Sequence, residues 1–249
     1  TYSFFALYAN IDKFNYEEEE IPYHKLPELD QWIISELNTM IRKVKRNMDD
    51  YEPTKAGRVI QDFVYDYLSN WYVRLSRRRF WKGEYSNDKV SAYQTLYKCL
   101  ETVAILMSPI SPFYADKLFR DLNEVSGRFN ISSVHLVEFP EVVEKHTNKD
   151  LEERMQLAQQ ISSQVLSLRK KEGIRVRQPL NKIMIPMTNK KLRSQLEKVE
   201  DLIKAEVNIK NIEFLTETKG VLVKKIKPNF KSLGPKYGKL MKQISRAFN

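Results

Sequence analysis

Residues 70–81 read NWYVRLSRRRFW, a stretch that mixes aromatic side chains with four arginines. The apolar spacing upstream, through Val59, Phe63, Tyr67 and Trp71, makes it the end of one helix that starts at Pro53-Thr54 and runs to about Trp81. Gly83 then stands where a helix C′ residue would. At about 3.6 residues per turn, Tyr67, Trp71, Arg74 and Arg78 share one narrow stripe. Flat rings stack on unpaired bases, and guanidinium groups bind phosphates, so such a stripe suits a single-stranded RNA loop. The competing reading makes Tyr67 and Trp71 core residues and the arginines a solvated rim, since aromatics at helical spacing are usually core.

On either side of this helix the first half of the chain reads as antiparallel helices. Residues 2–14 are one. An acidic run at 17–20, followed by Pro22 and Pro27, is a solvated loop. From Asp30 to about Met48, apolar residues Ile33, Leu37, Met40, Ile41, Val44 and Met48 recur at spacings of three and four, with Asp30 as the N-cap. Asp88 caps a helix through Val90, Tyr93, Tyr97, Leu100 and Ala104 that stops at Ser108-Pro109. Ser111-Pro112 restarts the chain as N-cap and N1 of a short helix to about Leu122. Residues 126–149 are a linker that crosses the bundle. The next helix, about 151–171, carries Met155, Ala158, Ile161, Val165 and Leu168 on one face.

After Gly173 the period changes. Residues 183–185, 209–215 and 221–226 are strand-like, 192–204 is helical, and 235–248 is an amphipathic helix with Tyr237, Leu240, Met241, Ile244 and Phe248 on one side. The predicted fold is mainly α: an antiparallel helical bundle over 1–149, a connecting helix over 150–172, and a small basic α+β domain over 173–249.

Charge follows the same division. Residues 1–164 carry 21 Lys+Arg against 25 Asp+Glu, a net −4, while 165–249 carry 21 against 7, a net +14. That density is the footprint of a polyanion binder. A membrane surface ranks lower, because the basic block lacks a long helix rich in Trp or Leu. Arg175 and Arg177 alternate with Ile174 and Val176, so both leave one face of an extended segment. Lys231, Lys236, Lys239, Lys242 and Arg246 form a basic surface on or before the last helix. Such residues add sequence-independent affinity.

Other chemistry is not indicated. A single cysteine, Cys99, in an apolar helical run excludes an internal disulfide framework and a multi-Cys zinc site. His24, His135 and His146 have no metal-ligand spacing. No phosphate-cradling Gly-rich loop is present, and no nucleophile–base constellation can be assembled. No apolar run approaches the roughly 18 residues of a membrane span. The first residues lack the pattern of a signal peptide, and a chain that starts without Met is expected to be part of a longer protein in the cytoplasm.

Several segments together resemble the C-terminal part of the isoleucyl-tRNA synthetases, a class I aminoacyl-tRNA synthetase family. They are YSFFALYANIDKF at 2–14, LDQWIISELN at 29–38, NWYVRLSRRRFW at 70–81, MSPISPF at 107–113 and SVHLVEFP at 133–140. GIRVRQPL at 173–180 and KPNFKSLGPKYGK at 227–239 resemble the eukaryote-like branch of that family, more than the valine or leucine enzymes.

The resemblance implies an anticodon-binding bundle that docks on the anticodon stem-loop of isoleucine tRNA, within an enzyme that uses ATP and magnesium to join isoleucine to its tRNA. The catalytic signatures His-x-Gly-His and Lys-Met-Ser-Lys-Ser are absent, so this stretch is expected to bind tRNA without aminoacylating it. It is also expected to need no cofactor or metal and to be monomeric, with the remainder of the synthetase as its other partner. The resemblance makes Arg74, Arg77 and Arg78 contacts to the tRNA backbone, leaves Trp71 inward, and puts Trp81 and Phe80 at a partly exposed helix end. Asn229 and Phe230 are candidates for reading a base edge and stacking. Equally, Phe230 could fill the small domain's core while Asn229 shapes a turn. An apolar face near Phe4, Phe5 and Tyr8 is expected where another domain would pack. Two alternatives remain at this point: the same region of a valyl- or leucyl-tRNA synthetase, and a helical protein-interaction scaffold with a basic tail.

Overall fold

The computed structural model describes residues 1–82, 84–187, 190–215 and 237–238. Gly83, the strand expected at 221–226 and most of the helix expected at 235–248 lie outside those residues. The chain divides into two compact units, Thr1–Gln156 and Leu157–Asn249. The first is a helical bundle, and the described residues of the second build a small two-stranded sheet with helices between its strands. The architecture is therefore the mainly α bundle followed by an α+β part.

The bundle comprises α1 (Tyr2–Asp12), α2 (Glu28–Asp49), α3 (Pro53–Asp62), α4 (Arg74–Trp81), α5 (Asn87–Met107) and α6 (Pro112–Ser126). The first turns of α7 (Lys149–Lys171) belong to it as well. α5 is its axis: every residue from Lys89 to Leu106 except Lys98 is buried, and α1, α2, α3, α4 and α6 all pack on it. A helix enclosed on all sides must satisfy its polar groups internally. Lys89 Nζ reaches Asp12 at 3.0 Å. Gln94 accepts from the Ile21 N–H and donates to the Glu18 and Glu19 carbonyls. Glu101 pairs with Arg128. The acidic loop at 17–20 is thus pinned to α5, and Tyr85 donates to Glu18 as well.

Aromatic packing closes the near side. Phe14 stacks on Tyr93 at 4.9 Å, and Phe5 meets Tyr93 and Tyr97 edge-on. Phe5 is buried and Phe4 packs on Phe80, so the open apolar positions of α1 are Leu7 and Ile11 rather than Phe4 and Phe5.

Two caps differ from expectation. α2 begins at Glu28 after Pro27, which puts Asp30 inside the first turn. Its carboxylate serves other partners and caps nothing. α5 is capped by Ser86, whose Oγ accepts the Lys89 N–H, and Asp88 lies in the first turn. α6 continues past Leu122 to Ser126 and ends on Gly127 in the left-handed region (φ 60°). The following linker runs along α2 and explains two of that helix's buried polar residues. Asn38 Oδ1 accepts the Val143 N–H at 2.8 Å, and Ser35 Oγ accepts the Asn148 N–H at 2.7 Å.

The helix expected over 53–81 is continuous but not uniform. Between α3 and α4, residues Phe63–Val73 are π-helical. Each i→i+5 bond adds a residue to the turn, so a stripe drawn at 3.6 residues per turn loses register there. Tyr67 ends half-buried, edge-on to Trp32, and Trp71 turns inward while Arg74 and Arg78 stay outside.

In the second unit β1 (Leu180–Pro186) and β2 (Ile209–Leu215) pair in parallel, with Leu180 opposite Ile209. The helical stretch between them is two helices, α8 (Lys190–Glu197) and α9 (Glu200–Val207). On α7, Ala158, Ser162 and Arg169 are buried, whereas Leu168 is 60% exposed. Met155 and Ala158 are buried as the apolar pattern predicts, and from Ser162 onward the buried stripe is set one residue later.

Candidate nucleic-acid interface

α4 sorts its arginines by helical phase. Ser76 and Phe80 face the core, and Arg74, Arg77, Arg78 and Trp81 follow the i, i+3, i+4, i+7 rule along the exposed side. Arg77 and Arg78 have no ion-pair partner among the described residues. Arg74 lies 5.9 Å from the Trp71 ring, and Trp71 itself is 8% exposed, an inward residue as expected. Trp81 is 50% exposed at the helix end. Phe80 contradicts its expected exposure: it is 1% exposed and edge-on to Tyr93 at 5.0 Å and to Phe4 at 5.2 Å. Its phase, four residues after Ser76, takes it into the core.

The fourth arginine of the run plays a different part. Arg79 places Nη1 and Nη2 at 2.6 and 2.8 Å from the two Asp30 oxygens. It also donates to the Asp88 carbonyl and Ser91 Oγ, both at 2.8 Å. Tyr72 donates to the same Asp30 carboxylate at 2.8 Å. Burial works against the Arg79 charge, but the Asp30 hydrogen bonds and neighbouring charges outweigh it and raise its pKa. Burial first, and Asp30 second, hold the Tyr72 hydroxyl well above its ordinary value. Arg79 thus fixes α4 against α2 and α5, and its three exposed neighbours are displayed from a rigid element. Residue type alone did not separate it from Arg77 and Arg78. Its position three residues after Ser76 and seven after Tyr72 does.

In the second unit Arg175 and Arg177 are exposed, but not on a strand. Residues 175–178 form a turn closed by the Gln178 N–H on the Arg175 carbonyl at 3.0 Å, after Gly173 at φ 67°. The extended reading fails because the carbonyls here are taken by side chains instead of a neighbouring strand. Arg169 donates to the Arg175 and Gln178 carbonyls, and Asn208 Nδ2 donates to the Val176 carbonyl at 2.9 Å. The sequence reading missed both Arg169 and Asn208. The signal for Arg169 was its phase, at i+7 from the small Ser162 and i+11 from Ala158.

Asn229, Phe230, Lys231, Lys236, Lys239, Lys242 and Arg246 lie outside the described residues. His24 and His135 are exposed, and His146 stacks on Tyr23 at 4.3 Å. Among the described residues no group of His, Cys, Asp or Glu is placed to hold a metal ion. None of the described helices is long and apolar enough to cross a membrane. What the arrangement offers is display of cations and one indole from fixed backbone, the means by which proteins hold phosphates and unstacked bases.

Comparison with known proteins bears directly on this surface. Isoleucine–tRNA ligase of Bacteroides thetaiotaomicron is 58% identical over 247 residues, covering 99% of this chain and 21% of that protein. The protein of the same name from Cytophaga hutchinsonii is 59% identical over 247 residues, 99% of this chain and 22% of its own length. That of Dehalococcoides mccartyi is 43% identical over 209 residues, 84% of this chain and 20% of its length. The chain spans about a fifth of the length of these relatives. All three are bacterial, which gives no support to the eukaryote-like branch expected from GIRVRQPL and KPNFKSLGPKYGK. The family model described as the anticodon-binding domain of tRNA ligase matches residues 30–185, from the buried Asp30 through α4 almost to the end of β1. The chain therefore belongs to the anticodon-binding domain family of tRNA ligases.

Proposed function

We propose that this chain is the anticodon-binding part of an isoleucine–tRNA ligase and docks as a monomer on the anticodon stem-loop of isoleucine tRNA. The observation that carries the reading is 58% identity across 247 residues to a protein named isoleucine–tRNA ligase. The exposed Arg74, Arg77, Arg78 and Trp81 stripe on α4 and the exposed Arg175 and Arg177 support it. On this reading the guanidinium groups hold backbone phosphates and fix register, while Trp81 offers a stacking face. Asn229 and Phe230 would read a base, and Lys231, Lys236, Lys239, Lys242 and Arg246 would add affinity without specificity.

Joining isoleucine to tRNA with ATP and magnesium, in the cytoplasm, is the proposed activity of the whole ligase.

The test is binding of a transcript of isoleucine tRNA to the chain and to its Arg74→Ala/Arg77→Ala/Arg78→Ala variant. Each lost phosphate contact should flatten the salt dependence, log K against log[salt], by about 0.7–0.9. Unchanged affinity and slope in the triple variant would refute a role for α4.

A further inference from the structure

Arg169 is 3% exposed on α7, and no carboxylate among the described residues pairs with it. Its guanidinium instead takes three backbone carbonyls: Arg175 at 3.2 Å, Gln178 at 3.0 Å and Asn208 at 2.9 Å. Its Nε–H has no partner among the described residues. Removing a guanidinium from water is costly unless hydrogen bonds replace the hydration shell. The turn that receives this investment puts nothing into the core: residues 175–179 are all exposed, Val176 included. A buried cation that organises an exposed turn is poorly explained by stability alone.

Asn208 works on the same turn from the other side. It sits at φ 52° and ψ 60° as the residue ending α9. Its side chain donates to the Val176 carbonyl, and its own carbonyl accepts both Arg169 and the Leu180 N–H that opens the sheet. The carbonyls of Arg175, Val176 and Gln178 are all drawn inward. Carbonyl oxygens repel phosphate, so sequestering them leaves a turn whose exposed charges are the two arginines.

We infer that Arg169, with Asn208, is a positioning residue that pre-organises the 175–178 turn so that Arg175 and Arg177 meet RNA phosphates together. The inference rests on the proposed tRNA reading. Pre-organisation raises affinity by removing the cost of ordering the loop on binding.

The test uses the whole chain and a transcript of isoleucine tRNA, titrated across a salt series. Arg175→Ala/Arg177→Ala should weaken binding by at least about tenfold and flatten the salt slope by about 1.4–1.8, the loss of two phosphate contacts. Arg169→Lys keeps the charge but not the three-carbonyl fork. Asn208→Gly keeps the left-handed backbone, which glycine adopts freely, and removes only the side-chain bond. Each should weaken binding about three- to tenfold in the native background and have no effect where Arg175 and Arg177 are already alanine. Asn208→Gly keeps the test decisive if Arg169→Lys does not fold. Equal losses in both backgrounds, or none beside a clear Arg175→Ala/Arg177→Ala effect, would overturn the positioning role and leave the tRNA reading standing. No effect of Arg175→Ala/Arg177→Ala would overturn the assignment of the two arginines, and the positioning role with it.

Discussion

Arg79 on α4 grips Asp30 on α2, 49 residues away in sequence, in a two-pronged ion pair of 2.6 and 2.8 Å. The Asp30 side chain is fully buried and that of Arg79 is 15% exposed. Breaking a buried pair leaves an uncompensated charge, which typically costs about 3–5 kcal/mol. Arg79→Met should lower the unfolding free energy of the bundle by that amount, measured by denaturant titration. Arg77→Ala and Arg78→Ala, on the exposed side of the same helix, should each stay within about 0.5 kcal/mol of wild type. Similar effects at all three positions would contradict the sorting of the arginine run into one internal tie and three displayed cations.

Glu36 on α2 gives the bundle a pH signature. Burial first, and the neighbouring Glu152 carboxylate second, push its pKa from 4.5 up to about 7. Between those values the folded state keeps a proton that the unfolded state releases. Its contribution is therefore complete below about pH 4.5 and lost as pH rises through 7. The loss between pH 5 and pH 8 should be on the order of 2–3 kcal/mol. Glu36→Gln keeps the shape and removes the titration, so the stability profile measured across that range should flatten. A variant that retains the slope would assign it to another group.

Cys99, the single cysteine, is wholly buried on α5. Burial pushes its thiol well above the ordinary range, and it is the thiolate that reacts. Under native conditions a colorimetric disulfide reagent should leave the chain unmodified, and denaturant should release one reactive thiol per chain. Rapid native labelling would show that α5 is not the enclosed axis of the bundle.

Much of the bundle was legible because its helices obey one period. Ile33, Leu37, Met40, Ile41 and Val44 mark α2 without help from any other segment, and Ser111-Pro112 starts α6 in the usual way. The failures share a cause, since each depends on a partner distant in sequence. Asp30 looks like an N-cap until Arg79 takes its carboxylate. Arg169 looks like part of a solvated basic run until the carbonyls of 175 and 178 appear beside it. Ile174 to Arg177 alternate like a strand, yet Arg169 and Asn208 fold that stretch into a turn. The π-helical stretch at 63–73 left no mark in composition. It shifts the register ahead of α4, so Tyr67 and Trp71 leave the stripe that Arg74 and Arg78 hold. Of the candidate interface, Arg74, Arg77, Arg78 and Trp81 fall together, and Phe80 was lost to the core.

The most direct test of the central claim is binding of the chain to an isoleucine tRNA transcript and to the same transcript with a changed anticodon, across a salt series. A preference for the isoleucine anticodon that persists as salt rises is the predicted result, because base contacts are less screened than phosphate contacts. Equal binding to both transcripts, falling together with salt, would contradict anticodon reading and leave the chain a phosphate-binding surface alone.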